Sequence, residues 1–234
     1  MTDPVLSAAL DDGRTALTEP EAKALIASVG LTVPEHQVVD SPDAAVTAAE
    51  AIGYPVVVKV VAPSIEHKSD WRDGIGVATG LSDATAVRQA ARRITEALEA
   101  AGRDGQLLVE TSADLAGGTE LLLGGTRDAA FGPTVTLGLG GLYAEVFEDV
   151  AHRLAPLEGS EARRMLEEFA GAGLLAGVRH KPPADTEAIV DAVVAIGRLL
   201  EEQPAIAEID VNPLFAAADG ATALDALIVL EEPA

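Results

Sequence analysis

The sequence contains no cysteine, which excludes disulfides and thiolate metal sites and makes the cytoplasm the expected location. Aromatic residues are scarce, 3% of 234, while 48% of the chain is hydrophobic. The core must therefore be built from Val, Leu, Ile and Ala, which suits helices packed on sheets. No run approaches the roughly 20 apolar residues of a membrane span. The opening residues, MTDPVLSAALDDGR, lack the basic and apolar regions of a signal peptide. Basic residues are also few: 16 against 38 acidic ones give a net charge of −22. A nucleic-acid binder of this size carries a basic face, so neither nucleic acid nor a membrane is an expected partner. The acids are scattered singly through periodic segments, which is the surface of a folded protein suited to a salt-rich cytoplasm, where self-repulsion is screened. Lysine is rarest among the charged residues, at Lys23, Lys59, Lys68 and Lys181, and each needs its own explanation.

Local signals organise the chain. Residues 1–17 have weak periodicity and read as a loose N-terminal arm. Thr18 with Glu21 three positions on has capping-box spacing and opens a helix closed by Gly30. A short strand is expected near His36–Val39, then a helix from Ser41-Pro42 to Gly53. Pro55–Ala62 (PVVVKVVA) reads as a buried strand, Gly76–Leu81 as another, and Ser82 as the cap of a helix to about Ala101. The GRDG of Gly102–Gly105 is the expected lobe boundary, giving an arm at 1–17, a small lobe at 18–104 and a second lobe at 105–234. The second lobe shows strands at Gln106–Glu110, Thr119–Thr126 and Pro133–Gly138, helices near Glu158–Ala172 and Asp185–Glu202, and final strands at Ala205–Phe215 and Ala223–Leu230. Strands and helices alternate in both halves, so the class is mixed α/β.

Four features carry possible chemistry. Lys59 sits inside VVVKVV, where an isolated ammonium costs several kcal/mol unless it is paired, snorkels out, or meets a ligand phosphate. In Glu208–Pro213 (EIDVNP), strand alternation puts Glu208, Asp210 and Asn212 on one face, a set of oxygen donors suited to Mg²⁺ or simply to solvent. If Asp219-Gly220 is a two-residue turn, Asn212 lies opposite Leu227 and Asp225 is its diagonal neighbour on that face. Glycines cluster at 124–141 and at Gly74 and Gly76, where backbone N–H groups can approach phosphate or simply form turns. They match neither the dinucleotide fingerprint nor the P-loop. Finally, the loop APSIEHKSDWRDG holds His67, a residue able to transfer protons or to attack phosphorus, or simply an exposed histidine.

Taken together, EAKALIASVGLTVPEHQVV, VVVKVV, SIEHKSD, the long ETSADLAGGTELLLGGTRDAAFGPTVTLGLGGLYAEVFEDVAHRLAPL and EIDVNPL resemble the ATP-grasp β subunit of ADP-forming acyl-CoA synthetases, typified by archaeal acetyl-CoA synthetase. The resemblance runs from about residue 18 to 230 and extends, more distantly, to succinyl-CoA synthetase β. It implies an ATP-grasp fold, two small α/β lobes clamping Mg-ATP or Mg-ADP. It further implies that Lys59 contacts phosphates and that Glu110 and Glu120 sit by adenine and ribose. Gly74 and Gly76 would lie at the nucleotide, and Asp210, Asn212 and Asp225 around Mg²⁺. His67 would carry a phosphoryl group, with Glu145 as its neighbour, and a CoA-binding α subunit would complete an α₂β₂ enzyme. Two departures stand out: Trp71-Arg72-Asp73 lengthen the His67 loop, and His180 replaces the family's glycine after Arg179. Another ATP-grasp carboxylate ligase, or a nucleotide-binding module without catalysis, are the alternatives.

Overall fold

The computed structural model describes residues 2–65, 68, 71–72, 74–141, 149–177 and 181–231. In chain order the helices are α1 (Pro4–Asp11), α2 (Glu19–Ser28), α3 (Pro42–Ile52), α4 (Ala84–Ala100), α5 (Gly159–Glu168) and α6 (Thr186–Glu202). The strands are β1 (His36–Val39), β2 (Val56–Val61), β3 (Val77–Leu81), β4 (Gln106–Thr111), β5 (Thr119–Asp128), β6 (Gly132–Leu139), β7 (Val150–Leu154), β8 (Ile206–Ala217), β9 (Gly220–Ala223) and β10 (Leu227–Leu230). The chain divides into a small unit, residues 34–113, and a large unit made of residues 1–33 with 114–234.

In the small unit an antiparallel sheet runs in the order β1-β4-β2-β3. One face, Val56, Val58, Val60, Leu107 and Val109, packs under α3 and α4, which contribute Ala45, Ala49, Val87, Ile94 and Leu98. Ser41 caps α3 by accepting from the Ala44 amide at 3.2 Å, and Pro42 sits where its missing N–H costs nothing. The cap of α4 is Asp83, which accepts from Ala86 N at 2.9 Å, rather than the expected Ser82.

Strand β4 corrects the expected lobe boundary. It pairs with both β1 and β2, so the GRDG turn, with Gly102 at φ 61°, joins α4 to β4 inside the small unit. Glycine marks a tight reversal whether or not two lobes meet there. Helix α2 likewise belongs to the large unit, so the small unit is an insertion between Val33 and Asp114.

In the large unit the sheet order among the described residues is β10-β8-β5-β6-β7, with β9 also on β8. Leu121, Leu123, Val135, Leu137, Ile209 and Val211 form one face and share a core with Ile189, Val193, Ile196 and Leu200 of α6. Asp185 caps α6 by accepting from Ala188 N. The helix expected over Glu158–Ala172 stops at Glu168, because the extended Phe169 turns its buried ring into the core before a short 3₁₀ segment, Ala170–Leu174. Strand β7 is absent from the sequence reading; its VAHRL pattern has too few apolar residues to stand out.

The loose arm is also corrected. Residues 4–11 form α1, capped by Asp3, which accepts from Val5 N at 2.9 Å, and Leu6 and Ala9 are fully buried in the large core. Beyond it, Leu17 N donates to Ile228 O, which ties the segment to β10. Among the described residues, no helix is long and apolar enough to cross a membrane. Leu6→Ala should lower the unfolding free energy by about 2–5 kcal/mol, read from urea or guanidinium midpoints. A change near zero would show that α1 is not docked in solution.

Candidate functional site

Alternation along β2 gives the small unit two different faces. Val56, Val58 and Val60 enter the helix-covered core, so Val57, Lys59 and Val61 face the other way. All six residues of the strand are buried. Glu110 of β4 stands opposite Val57 and is therefore the diagonal neighbour of Lys59. Lys59 Nζ meets Glu110 Oε1 at 2.8 Å, with the two side chains 8% and 4% exposed. The expected Lys59 and Glu110 are thus brought together as a buried ion pair, one of the readings left open for Lys59. His36 of β1 is opposite Glu110 on the same face, a neighbour that spacing alone does not show.

The loop after β2 is anchored at several described points. Ile65 is buried, its N–H donates to Ala62 O, and Arg103 from the GRDG turn donates to Ser64 O at 2.5 Å. Trp71 packs against the small-unit core and its backbone N–H donates to Lys68 O, while Arg72 adopts a left-handed φ of 47°. The residues that lengthen this loop thus include a hydrophobic anchor. Gly76 is required sterically: a Cβ there would lie 2.3 Å from the Lys68 carbonyl oxygen and 3.2 Å from Val60 Cγ1. Gly74 has φ 85° and lines a cavity of about 350 Å³ beside β3 with Ile75, Val77, Thr79 and Arg93. His67 lies outside the described residues, as do Glu145, Arg179 and His180.

In the large unit the expected alternation of β8 holds: Ile209 and Val211 are buried, while Glu208 and Asn212 are exposed and Asp210 is half-buried. The turn differs from expectation. Ala217 pairs with Gly220, so the reversal is Ala218-Asp219, and Leu227 stands opposite Asp210 rather than Asn212. Leu224 N donates to Pro213 O at 3.0 Å, which carries the register through the gap between β9 and β10. Asp225 is therefore level with Asn212 instead of diagonal to it. The shift is two residues, the period of a strand, so the face is kept. Across from this point the pairing of β5 with β8 slips between Leu121 and Leu123, a bulge at Asn212-Pro213. A bulge bends its strand and re-aims the side chains beside it.

Asp210, Asn212 and Asp225 thus gather where a bulge and a strand break coincide. Two carboxylates and one amide are too few for an all-protein cage, and among the described residues no group of three or more His, Cys, Asp or Glu could hold a metal. They fit a cation such as Mg²⁺ that keeps water and takes phosphate oxygens. At the start of β5, beside that bulge, a Cβ on Gly141 would come within 2.6 Å of Glu120 Oε2, and Gly140 N donates to Glu120 O. Glu120 therefore packs against the Gly140-Gly141 turn. Lys181 donates to Gly118 O at 2.6 Å, two residues before Glu120. The sequence reading also missed Thr136 and His152, whose Oγ1 and Nδ1 are 2.8 Å apart; they are sixteen residues apart and only strand register joins them.

A two-unit α/β fold with a buried strand lysine and a strand of oxygen donors is the pattern of an ATP-grasp protein. The family model for the ATP-grasp domain matches residues 8–230. The β subunit of ADP-forming acetate–CoA ligase I from Pyrococcus furiosus is 40% identical over 215 residues, covering 92% of this chain and 91% of that one. A solved structure of acetyl-coenzyme A synthetase 1 from Ca. Korarchaeum cryptofilum, with coenzyme A and Ca-AMPCP, superposes with a TM-score of 0.90 at 40% identity, over 97% of this chain and 98% of the other. A second structure of that enzyme, with coenzyme A and Mg-AMPPCP and its phosphohistidine segment pointing towards the nucleotide-binding site, gives a TM-score of 0.83 at 40% identity, with the same coverage. The chain belongs to the ATP-grasp family, within its branch of catalytic, nucleotide-binding β subunits of ADP-forming acyl-CoA ligases.

Removing one partner of a buried pair leaves a charge in a poor solvent. Lys59→Met should cost about 3–5 kcal/mol of stability, and Lys59→Met with Glu110→Met should recover most of it. Chemical denaturation of both variants tests this; equal losses would show that the two groups are not coupled.

Proposed function

We propose that this β subunit takes the phosphoryl group generated from an acyl-CoA by a CoA-binding α subunit and transfers it to Mg-ADP. The overall balance is acyl-CoA + ADP + phosphate ⇌ carboxylic acid + CoA + ATP, and α₂β₂ is the expected assembly. The observation that carries the reading is the meeting of Asp210, Asn212 and Asp225 at the bulge of β8. On this reading they hold Mg²⁺, which supplies charge neutralisation to the phosphates. Lys59 adds a fixed positive charge toward phosphate oxygens, and Glu110 orients that ammonium. Glu120 takes a ribose hydroxyl or adenine amine, groups able to donate to a carboxylate. Gly74 and Gly76 offer backbone N–H groups. His67 receives the phosphoryl group from the partner's histidine, and Glu145 orients its imidazole. Phosphoryl transfer depends on positioning and electrostatics, so these roles need no further covalent chemistry from the chain. Support comes from the two Pyrococcus furiosus β subunits of matching length and from the solved enzyme, which holds CoA with a metal–nucleotide.

Two experiments separate metal from relay. Asp210→Asn should weaken the Mg²⁺ dependence of ADP binding by at least the roughly 10- to 100-fold typical of disturbing a metal site, read by calorimetry across a Mg²⁺ titration. An unchanged titration would remove Asp210 from the site. His67→Asn in the reconstituted complex should abolish ATP formation from acetyl-CoA, ADP and phosphate while leaving Mg-ADP binding intact. Full turnover in that variant would favour a carboxylate ligase working without a second phosphohistidine.

A further inference from the structure

The helix-free face of the small sheet carries, on its β1 edge, an imidazole that the proposed chemistry leaves unused. Strand registers place His36 of β1, Glu110 of β4 and Val57 of β2 directly opposite one another, with Lys59 diagonal to Glu110. Thr111 N donates to Glu35 O, so that neighbouring pair is the hydrogen-bonded one. His36 and Glu110 therefore form the alternate, narrow pair, whose side chains stand closer. Val38, exposed and two residues along β1, adds an apolar contact on the same face.

His36 Nδ1 lies 2.8 Å from Pro34 O. A carbonyl oxygen only accepts, so Nδ1 carries the hydrogen, and in the neutral ring Nε2 holds a lone pair. His36 is half-buried, and its Nε2 has no hydrogen-bond partner among the described residues. Glu110 is an acceptor too: it takes the Lys59 ammonium through Oε1, and a carboxylate has lone pairs for more than one donor. Two acceptors on facing strands are matched by a single group with two hydrogens to give.

On the proposed function the phosphate contacts set the nucleotide's direction across this face. Gly74 and Gly76 lead into β3 and Lys59 lies on β2, so the phosphates sit at that side of the sheet and the base extends toward β4 and β1. Two strand spacings separate β2 from β1, about 10 Å, comparable with the length of a nucleoside. The 6-amino group of adenine has two hydrogens, whereas guanine and hypoxanthine carry an oxygen there and oppose both acceptors with lone pairs. We infer that His36 selects adenine, its Nε2 accepting one hydrogen of the 6-amino group while Glu110 accepts the other. This rests on the reading of Lys59, Gly74 and Gly76 as phosphate contacts, and it leaves the ribose hydroxyl to Glu120.

The test measures binding of Mg-ADP, Mg-GDP and Mg-IDP by calorimetry at pH 8, on the full chain with its α partner. IDP differs from ADP only at C6 and the adjoining N1. Wild type should bind ADP at least about tenfold more tightly than GDP or IDP, because an oxygen at C6 leaves the acceptors unmatched. His36→Leu should weaken ADP about tenfold without weakening IDP. His36→Gln can turn either its amide oxygen or its NH₂ toward the base, so it should keep ADP and tighten IDP. A purely structural loss lowers all three affinities together, so the readout is the ratio of ADP to IDP affinity. An unchanged ratio in either variant overturns the role of His36 and leaves the phosphate reading in place. Equal affinity of the wild type for the three nucleotides overturns that role as well. A wild type that binds none of them overturns the nucleotide reading itself, and the role of His36 with it.

Discussion

The close seating of α6 on the large sheet decides which of its faces is left for chemistry. In a chain so poor in aromatics, the contact is made from aliphatic side chains meeting small ones. A Cβ on Gly125 would fall 2.4 Å from Leu200 Cδ1, and one on Gly197 would fall 3.4 Å from Val135 Cγ2 of β6. Leu200 is fully buried, so there is little room for it to retreat. With that face sealed, every second residue of β5, β6 and β8 is directed to the other side. Leu121, Leu123 and Val135 go inward with Ile209 and Val211, and Gly124, Thr136, Asp210 and Asn212 go outward. Selecting one face for packing therefore selects the contents of the other.

Strand period explains both what was legible in the sequence and what was not. EIDVNP shows its faces directly, because alternation is a local property. The partner of Asn212 was misplaced by two residues, since Ala218-Asp219 forms the reversal in place of Asp219-Gly220. Asp225 nevertheless stayed on the correct side, because an error of one full period leaves the face unchanged. Thr136 and His152 had no such protection: both lie in the segment that carries the resemblance, but only the pairing of β6 with β7 brings them together. The GRDG turn misled for a related reason. Local glycine geometry specifies a reversal, but whether β4 returns to β1 and β2 is a non-local matter. Helix α1 did carry its signal, an Asp-Pro start, but eight residues give too few turns for a convincing apolar stripe.

The rarity of lysine gains meaning from where the four lie. Lys23, Lys59 and Lys68 are all buried, and Lys23 pairs with Glu19 at 2.8 Å as Lys59 does with Glu110. An acid-rich surface that avoids lysine loses little from doing so, since exposed ion pairs contribute at most about 1 kcal/mol. Buried pairs differ: their attraction roughly offsets the cost of desolvation, and removing one member exposes that cost. Retaining Lys59 in an otherwise apolar strand is thus poorly explained by stability alone. Fixing an ammonium at one position, with Glu110 preventing it from snorkelling away, is what a phosphate contact requires.

The same reasoning constrains the order of events at Asp210, Asn212 and Asp225. Two carboxylates and an amide leave much of an octahedral Mg²⁺ shell to water or phosphate, so on the proposed assignment free metal is held weakly and the metal–nucleotide firmly. Net charge pushes the same way. A chain at −22 repels free ADP, and the repulsion extends about 10 Å at 0.1 M salt and about 3 Å at 1 M. Neutralising the nucleotide with Mg²⁺ before it arrives removes most of that barrier, and high salt removes the rest. On the proposed assignment an acidic surface is compatible with an anionic substrate, because Lys59 and the cation would act as local, poorly screened charges, whereas the exposed acids that oppose entry are screened.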